Sequence, residues 1–121
     1  MILKLNETES LDLKYSFRSS IYFETISGHN LDLNNLTGND LMILFYAVFV
    51  ASLQKEKKPI VDMIQFMDII DENGGERCIY NFSKWYVEQI QIQWQLEEDR
   101  EEKTNVDVKG KKTYASKKKK P

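Results

Sequence analysis

Apolar and polar positions alternate at the start of the chain. ILKL (2–5) and LDLKYS (11–16) both place apolar side chains at every second position, the spacing of half-buried strands, and the polar NETES between them is turn material. These residues predict a β-hairpin over 2–16. Two strands are marginal alone in water, so helices must cover them. Ser16 is placed to cap a first helix over 17–27, in which Phe17, Ile21 and Glu24 share one face, and Gly28 is placed to end it. The connector HNLDLNNLT spaces Leu31, Leu33 and Leu36 to pin it onto the core. A second helix over about 38–56 contains LMILFYAVFVASL (41–53), apolar on every face for three turns, and this predicts the central, most buried element. Lys55 to Lys58 break the pattern. Pro59 suits the first turn of a third helix over 59–73, with Val61, Ile64, Met67 and Asp68 in one stripe and Ile60, Met63, Phe66 and Ile70 in the next. Asn73-Gly74-Gly75 stops it, and a fourth helix, the longest, follows over 76–103.

Within that last helix QIQIQWQL (89–96) alternates like a strand. Glutamine is a good helix former and no turn residue separates Val87 from Glu97, so the stretch is read as helix. The alternative is a strand that pairs with the N-terminal hairpin after a helix ending near Glu88. On a helix advancing about 100° per residue, Ile92 and Leu96 fall within about 20° of Trp85. Tyr86, Ile79 and Ile90 cluster roughly 100 to 140° away, and Trp94 lies about opposite. Two apolar faces result. One, with Tyr86 and Ile90, packs on the core; the other, with Trp85, Ile92 and Leu96, is the candidate partner-binding face, because an exposed Trp and Ile stripe marks interfaces.

The whole pattern predicts an α+β fold: an N-terminal β-hairpin followed by a bundle of about four helices, mostly α. With 121 residues, 41% hydrophobic and 30% charged, the chain suits one folded domain over 1–103 with a single modest core. Its charge is uneven. Residues 109–121 hold seven lysines and no acid, whereas residues 1–108 hold ten basic against nineteen acidic residues, a balance of −9. GKKTYASKKKKP has too little apolar content to offset the entropy of ordering, which predicts a disordered basic tail over 104–121.

Catalytic and metal chemistry find little to build on. The one cysteine, Cys78, has no disulfide partner in the chain and reads as an inert buried thiol, consistent with a reducing cytoplasm. His29, beside Gly28 and Asn30, reads as an exposed turn histidine rather than a general base. Asp62, Asp68, Asp71 and Glu72 read as the solvated face and edge of the third helix, since the loop spacing of a calcium site is absent. No Cys/His set has zinc spacing, and Gly74-Gly75 is followed by Glu76 rather than by the lysine of a phosphate loop. The expectation is a protein without enzymatic activity, metal or cofactor. MILKLNETES has acids where a secretory signal would continue apolar, and the run at 41–53 is too short to cross a bilayer, so neither targeting nor membrane insertion is expected.

Nucleic acid is an alternative partner. Lys111, Lys112, Tyr114, Lys117, Lys118, Lys119 and Lys120 could neutralise phosphates and stack on bases, aided by KYSFR (14–18). The acidic body opposes this, and a solubilising leash is the plainer reading of the tail.

The order of a short hairpin, KYSFRSSIYFETISG (14–28), a polar and leucine-bearing connector and the helix LMILFYAVFVAS resembles the tail assembly chaperones of long-tailed bacteriophages and their prophage relatives. The hairpin-to-helix step is matched by Phe17-Arg18, the helix end by Phe23 to Gly28, and the central helix by Leu44 to Ala47, so the likeness spans roughly residues 1–100. The resemblance implies a non-enzymatic chaperone in the cytoplasm of an infected or lysogenic bacterium. Its implied partners are the tape measure protein and tail-tube subunits, with self-association among copies. A small adaptor or regulatory protein sharing this helical plan is the remaining alternative.

Overall fold

In the computed structural model, which describes residues 1–109 and side chains as far as Leu96, the N-terminal alternation forms strands β1 (Ile2–Lys4) and β2 (Ser10–Asp12). They pair antiparallel with Leu3 opposite Leu11, and both side chains are buried together with Leu13. The turn is organised by Asn6, whose Oδ1 accepts from the backbone N–H of Thr8 and of Glu9, each at 2.9 Å. This is the side-chain mimicry of a backbone turn for which Asn is favoured.

Four helices follow, α1 (Phe17–Ser27), α2 (Gly38–Lys55), α3 (Met63–Glu72) and α4 (Glu76–Lys109), with a 3-10 turn at Leu33–Asn35. The fold is α+β: a two-stranded antiparallel hairpin and then helices, mostly helical. The chain divides into two compact units, Met1–Tyr86 and Val87–Pro121, the second beginning within α4.

In the first unit α2 is central. Phe45, Val48 and Phe49 are fully buried and Val50, Ala51 and Leu53 nearly so, as a helix apolar on all faces requires. Buried Ser52 has both hydrogen-bonding roles filled: its Oγ donates to the Val48 carbonyl at 2.8 Å and accepts from the Lys14 N–H at 3.0 Å. That second bond ties the hairpin exit to the central helix.

Helix α1 is bounded as its caps dictate: Ser16 accepts from the Ser19 N–H, and Gly28 sits at φ 83°, where a glycine carries no Cβ penalty. The face it buries differs from the expected one. Phe17 is 78% exposed and Ile21 43%, while Ser19 and Phe23 are fully buried. Helix α1 packs on α2, and small Ser19 at a buried position allows a closer approach than Phe17 would. Ser19 Oγ is satisfied locally, donating to the Ser16 carbonyl at 2.6 Å. In the connector, Leu31 and Leu36 are half-buried but Leu33 is exposed.

The third helix begins at Met63, not Pro59. Asp62 and Gln65 form a capping box: Asp62 Oδ1 accepts from the Gln65 N–H at 2.8 Å and Gln65 Oε1 from the Asp62 N–H at 3.1 Å. Ahead of it the Val61 carbonyl accepts from the Tyr46 hydroxyl at 2.7 Å, which holds this non-helical lead-in against α2. Phe66 and Ile70 of the second apolar stripe turn inward, leaving Ile64 and Met67 exposed.

Asn73 closes α3 and also the sheet. Its amide donates to the Lys4 carbonyl at 2.8 Å and accepts from the Lys4 N–H at 2.9 Å, so a side chain occupies the outer edge of β1 as a third strand would. The same Nδ2 donates to the Ile69 carbonyl at 2.8 Å. Asn73→Ala removes three bonds at once, and we expect a loss of about 1–3 kcal/mol in chemical denaturation. Asn73→Asp, which keeps the acceptor but sets a carboxylate oxygen against the Lys4 and Ile69 carbonyls, should lose at least as much as the alanine variant. Gly74 at φ 114° and Gly75 at φ 62° then turn the chain into α4.

Helix α4 carries 89–96 as helix, which excludes the strand alternative, and it continues through Lys109. Residues 104–109 of the expected tail continue this helix, and the rest of it, 110–121, lies outside the described residues.

Candidate interaction surface

In the first unit, α4 buries Cys78, Phe82 and Tyr86 at four-residue spacing. Phe82 stacks on Phe45 with centroids 4.1 Å apart and planes within 5°, and Phe45 meets Phe66 edge-on at 5.1 Å. Trp85 belongs to the margin of this aromatic cluster. It is half-buried, 5.9 Å from Phe82 and 6.5 Å from Tyr86. Trp85, expected with Ile92 and Leu96 on a face outside the intrachain core, thus offers only part of its ring to a partner. Tyr86, buried beside Tyr15 with rings 5.5 Å apart, has its hydroxyl pushed up to about 12, chiefly by burial.

In the second unit Ile92 is 54% exposed and Leu96 52%. They lie one turn apart on one face of α4. Trp94, 60% exposed, and Val87, also exposed, lie about opposite, seven residues apart and hence within about 20° of each other. Ile90 alone of the described apolar residues here is buried. The alternation of QIQIQWQL accounts for this: on a helix, alternate residues fall about 200° apart, so their side chains divide between opposite faces. Trp94 and Val87 are thus interface candidates alongside Ile92 and Leu96. The helical wheel carries the signal for Trp94, which lies about opposite Trp85. Apolar groups exposed this way are well suited to a protein partner.

Cys78 is buried, and desolvation raises its thiol pKa, the environment of an unreactive cysteine. Asp62 caps α3. Among the described residues no set of three His, Cys, Asp or Glu is arranged to hold a metal, and no helix is long and apolar enough to cross a membrane. Lys111, Lys112, Tyr114, Lys117, Lys118, Lys119 and Lys120 lie outside the described residues.

His29 links the end of α1 to the start of α2. Nδ1 lies 2.9 Å from the Asn30 carbonyl and Nε2 3.2 Å from Asp40 Oδ1. Both partners are acceptors, so only the protonated ring satisfies both, and the Asn30 carbonyl first and Asp40 second raise its pKa above 6.5. The associated stabilisation is fully present below about pH 6.5 and is lost as pH rises through the raised value. Thermal midpoints at about pH 6 and about pH 8.5 should differ in this sense, and His29→Asn should remove the difference.

Comparison of the chain with protein-family models, with curated proteins and with solved structures finds no match.

Proposed function

We propose that this protein is a non-enzymatic tail assembly chaperone of a long-tailed bacteriophage or prophage relative, acting in the bacterial cytoplasm. It binds the tape measure protein and aids tail-tube assembly. The observation that carries the reading is the pair of exposed apolar stripes on α4, Ile92 with Leu96 and Val87 with Trp94. A chaperone for a long helical client needs apolar surface it does not spend on its own core, both for the client and for neighbouring copies. The resemblance carried by Phe17-Arg18, Phe23 to Gly28 and Leu44 to Ala47 directs this surface to that client.

The test is co-expression with a tape measure protein from the same genome. The expected result is that the client becomes soluble and co-purifies with the chaperone, and that Ile92→Glu with Leu96→Glu reduces recovery at least tenfold while the chaperone stays folded. A client equally insoluble with and without the protein would refute the reading. A DNA-binding isotherm at two salt concentrations tests the nucleic-acid alternative, which requires tight binding that weakens steeply with salt.

A further inference from the structure

Three cations converge on one groove of the first unit. Lys14 from the hairpin exit, Arg18 from the first turn of α1 and Lys55 from the last turn of α2 line a depression of about 380 Å³ together with Ser16 and Ala51. That size is at the lower end for small-molecule sites. Three of the ten basic residues among residues 1–108 thus line one concavity, all three exposed, so that the solvent-screened repulsion between them is mild. Asp12 pairs with one of them, with its Oδ2 2.8 Å from Lys14 Nζ, and Glu56 acts on Lys14 over a longer distance. Arg18 and Lys55 have no ion-pair partner among the described residues.

The backbone and one side chain of the groove are held in place. The Lys14 N–H is anchored on buried Ser52, and Arg18 Nη1 donates to Gln54 Oε1 at 3.3 Å, an acceptor that also takes the Tyr22 hydroxyl. One end of the guanidinium is thus fixed by a neutral group, leaving the rest of its N–H fork for a ligand.

We propose that this groove binds the phosphate group of a small phosphomonoester. Three cations against Asp12 and the more distant Glu56 leave between one and two positive charges, the sign that a phosphate monoester near neutral pH requires, and the Arg18 fork suits its oxygens. Ser16 and Ala51 then meet whatever the phosphate carries. This assignment is independent of the tape-measure reading, since the groove lies on the hairpin exit, α1 and α2 rather than on the exposed stripes of α4.

The test is a heteronuclear NMR titration of the full chain with inorganic phosphate and then with phenyl phosphate, sodium chloride holding the ionic strength constant. Saturable shifts confined to the amides of Lys14 to Arg18 and of Ala51 to Lys55 are expected for both. Arg18→Gln with Lys55→Gln should weaken binding at least tenfold without moving the thermal midpoint, and Lys55→Arg should retain it. Shifts spread over the surface lysines, reproduced by chloride or unchanged in the double variant, would mean an adventitious ion only and overturn the proposal. A single-stranded oligonucleotide binding the groove more than a hundredfold tighter than phenyl phosphate would overturn it as well, by assigning the groove to a nucleic-acid backbone.

Discussion

Replacing Phe45 by alanine is expected to cost about 3–5 kcal/mol and to leave much of the protein unfolded. Phe45 is fully buried, stacks face to face on Phe82 of α4 and meets Phe66 of α3 edge-on, so one ring joins three helices. Its removal loses the transfer energy of the ring, two aromatic contacts and the filling of a space that three helices cannot close without moving. Urea denaturation followed by circular dichroism measures the effect, and Phe45→Leu, which refills most of the volume, should recover the larger part of it. A midpoint for the alanine variant equal to that of wild type would mean that α2 is not the centre of the packing.

The second large effect separates two positions six residues apart on one helix. Tyr86→Glu is expected to destabilise by about 3–5 kcal/mol, because a carboxylate placed there is buried with no cation beside it. Ile92→Glu is expected to leave stability within about 0.5 kcal/mol, since that side chain is 54% exposed, and to show its effect only in partner binding or self-association. Circular dichroism reports folding, and light scattering with pull-down reports association. Equal loss of helicity in the two variants would sink the distinction. Tyr86 also sets an alkaline limit. Its hydroxyl pKa is raised from 10.0 to about 12 by burial, so its contribution to stability is whole below pH 10 and is lost as pH rises towards 12. Tyr86→Phe should flatten that limb of the pH profile, with half-buried Tyr46, also shifted upward, accounting for part of what remains.

The candidate surface was legible in part. Ile92 and Leu96 follow from the helical wheel alone, because an apolar pair on the face away from Tyr86 and Ile90 has no local reason to be covered. Trp85 shares their angle on the wheel but not their surroundings. Its ring lies 5.9 Å from Phe82, one turn earlier on the same helix, and is half-buried, whereas Ile92 and Leu96 are exposed.

Local chemistry in the sequence determined the elements and most of their ends. The hairpin follows from alternation, the bounds of α1 from the Ser16 cap and the left-handed position that Gly28 accepts, and the burial of α2 from a run too apolar to leave any face in water. Each of these depends on interactions within a few residues or on the transfer of one segment out of water. The tertiary structure decided which of several equivalent faces turns inward. Helix α1 buries Ser19 and Phe23 instead of Phe17 and Ile21 because close approach to α2 favours a small side chain at the contact. Helix α3 buries one of its two apolar stripes and starts at the Asp62–Gln65 box, with Tyr46 holding the chain ahead of it. Asn73 reads locally as a helix stop, yet its amide completes the edge of a strand 69 residues away. Partners so distant in sequence meet only after the chain has folded, which is why the spacing of residues alone did not disclose them.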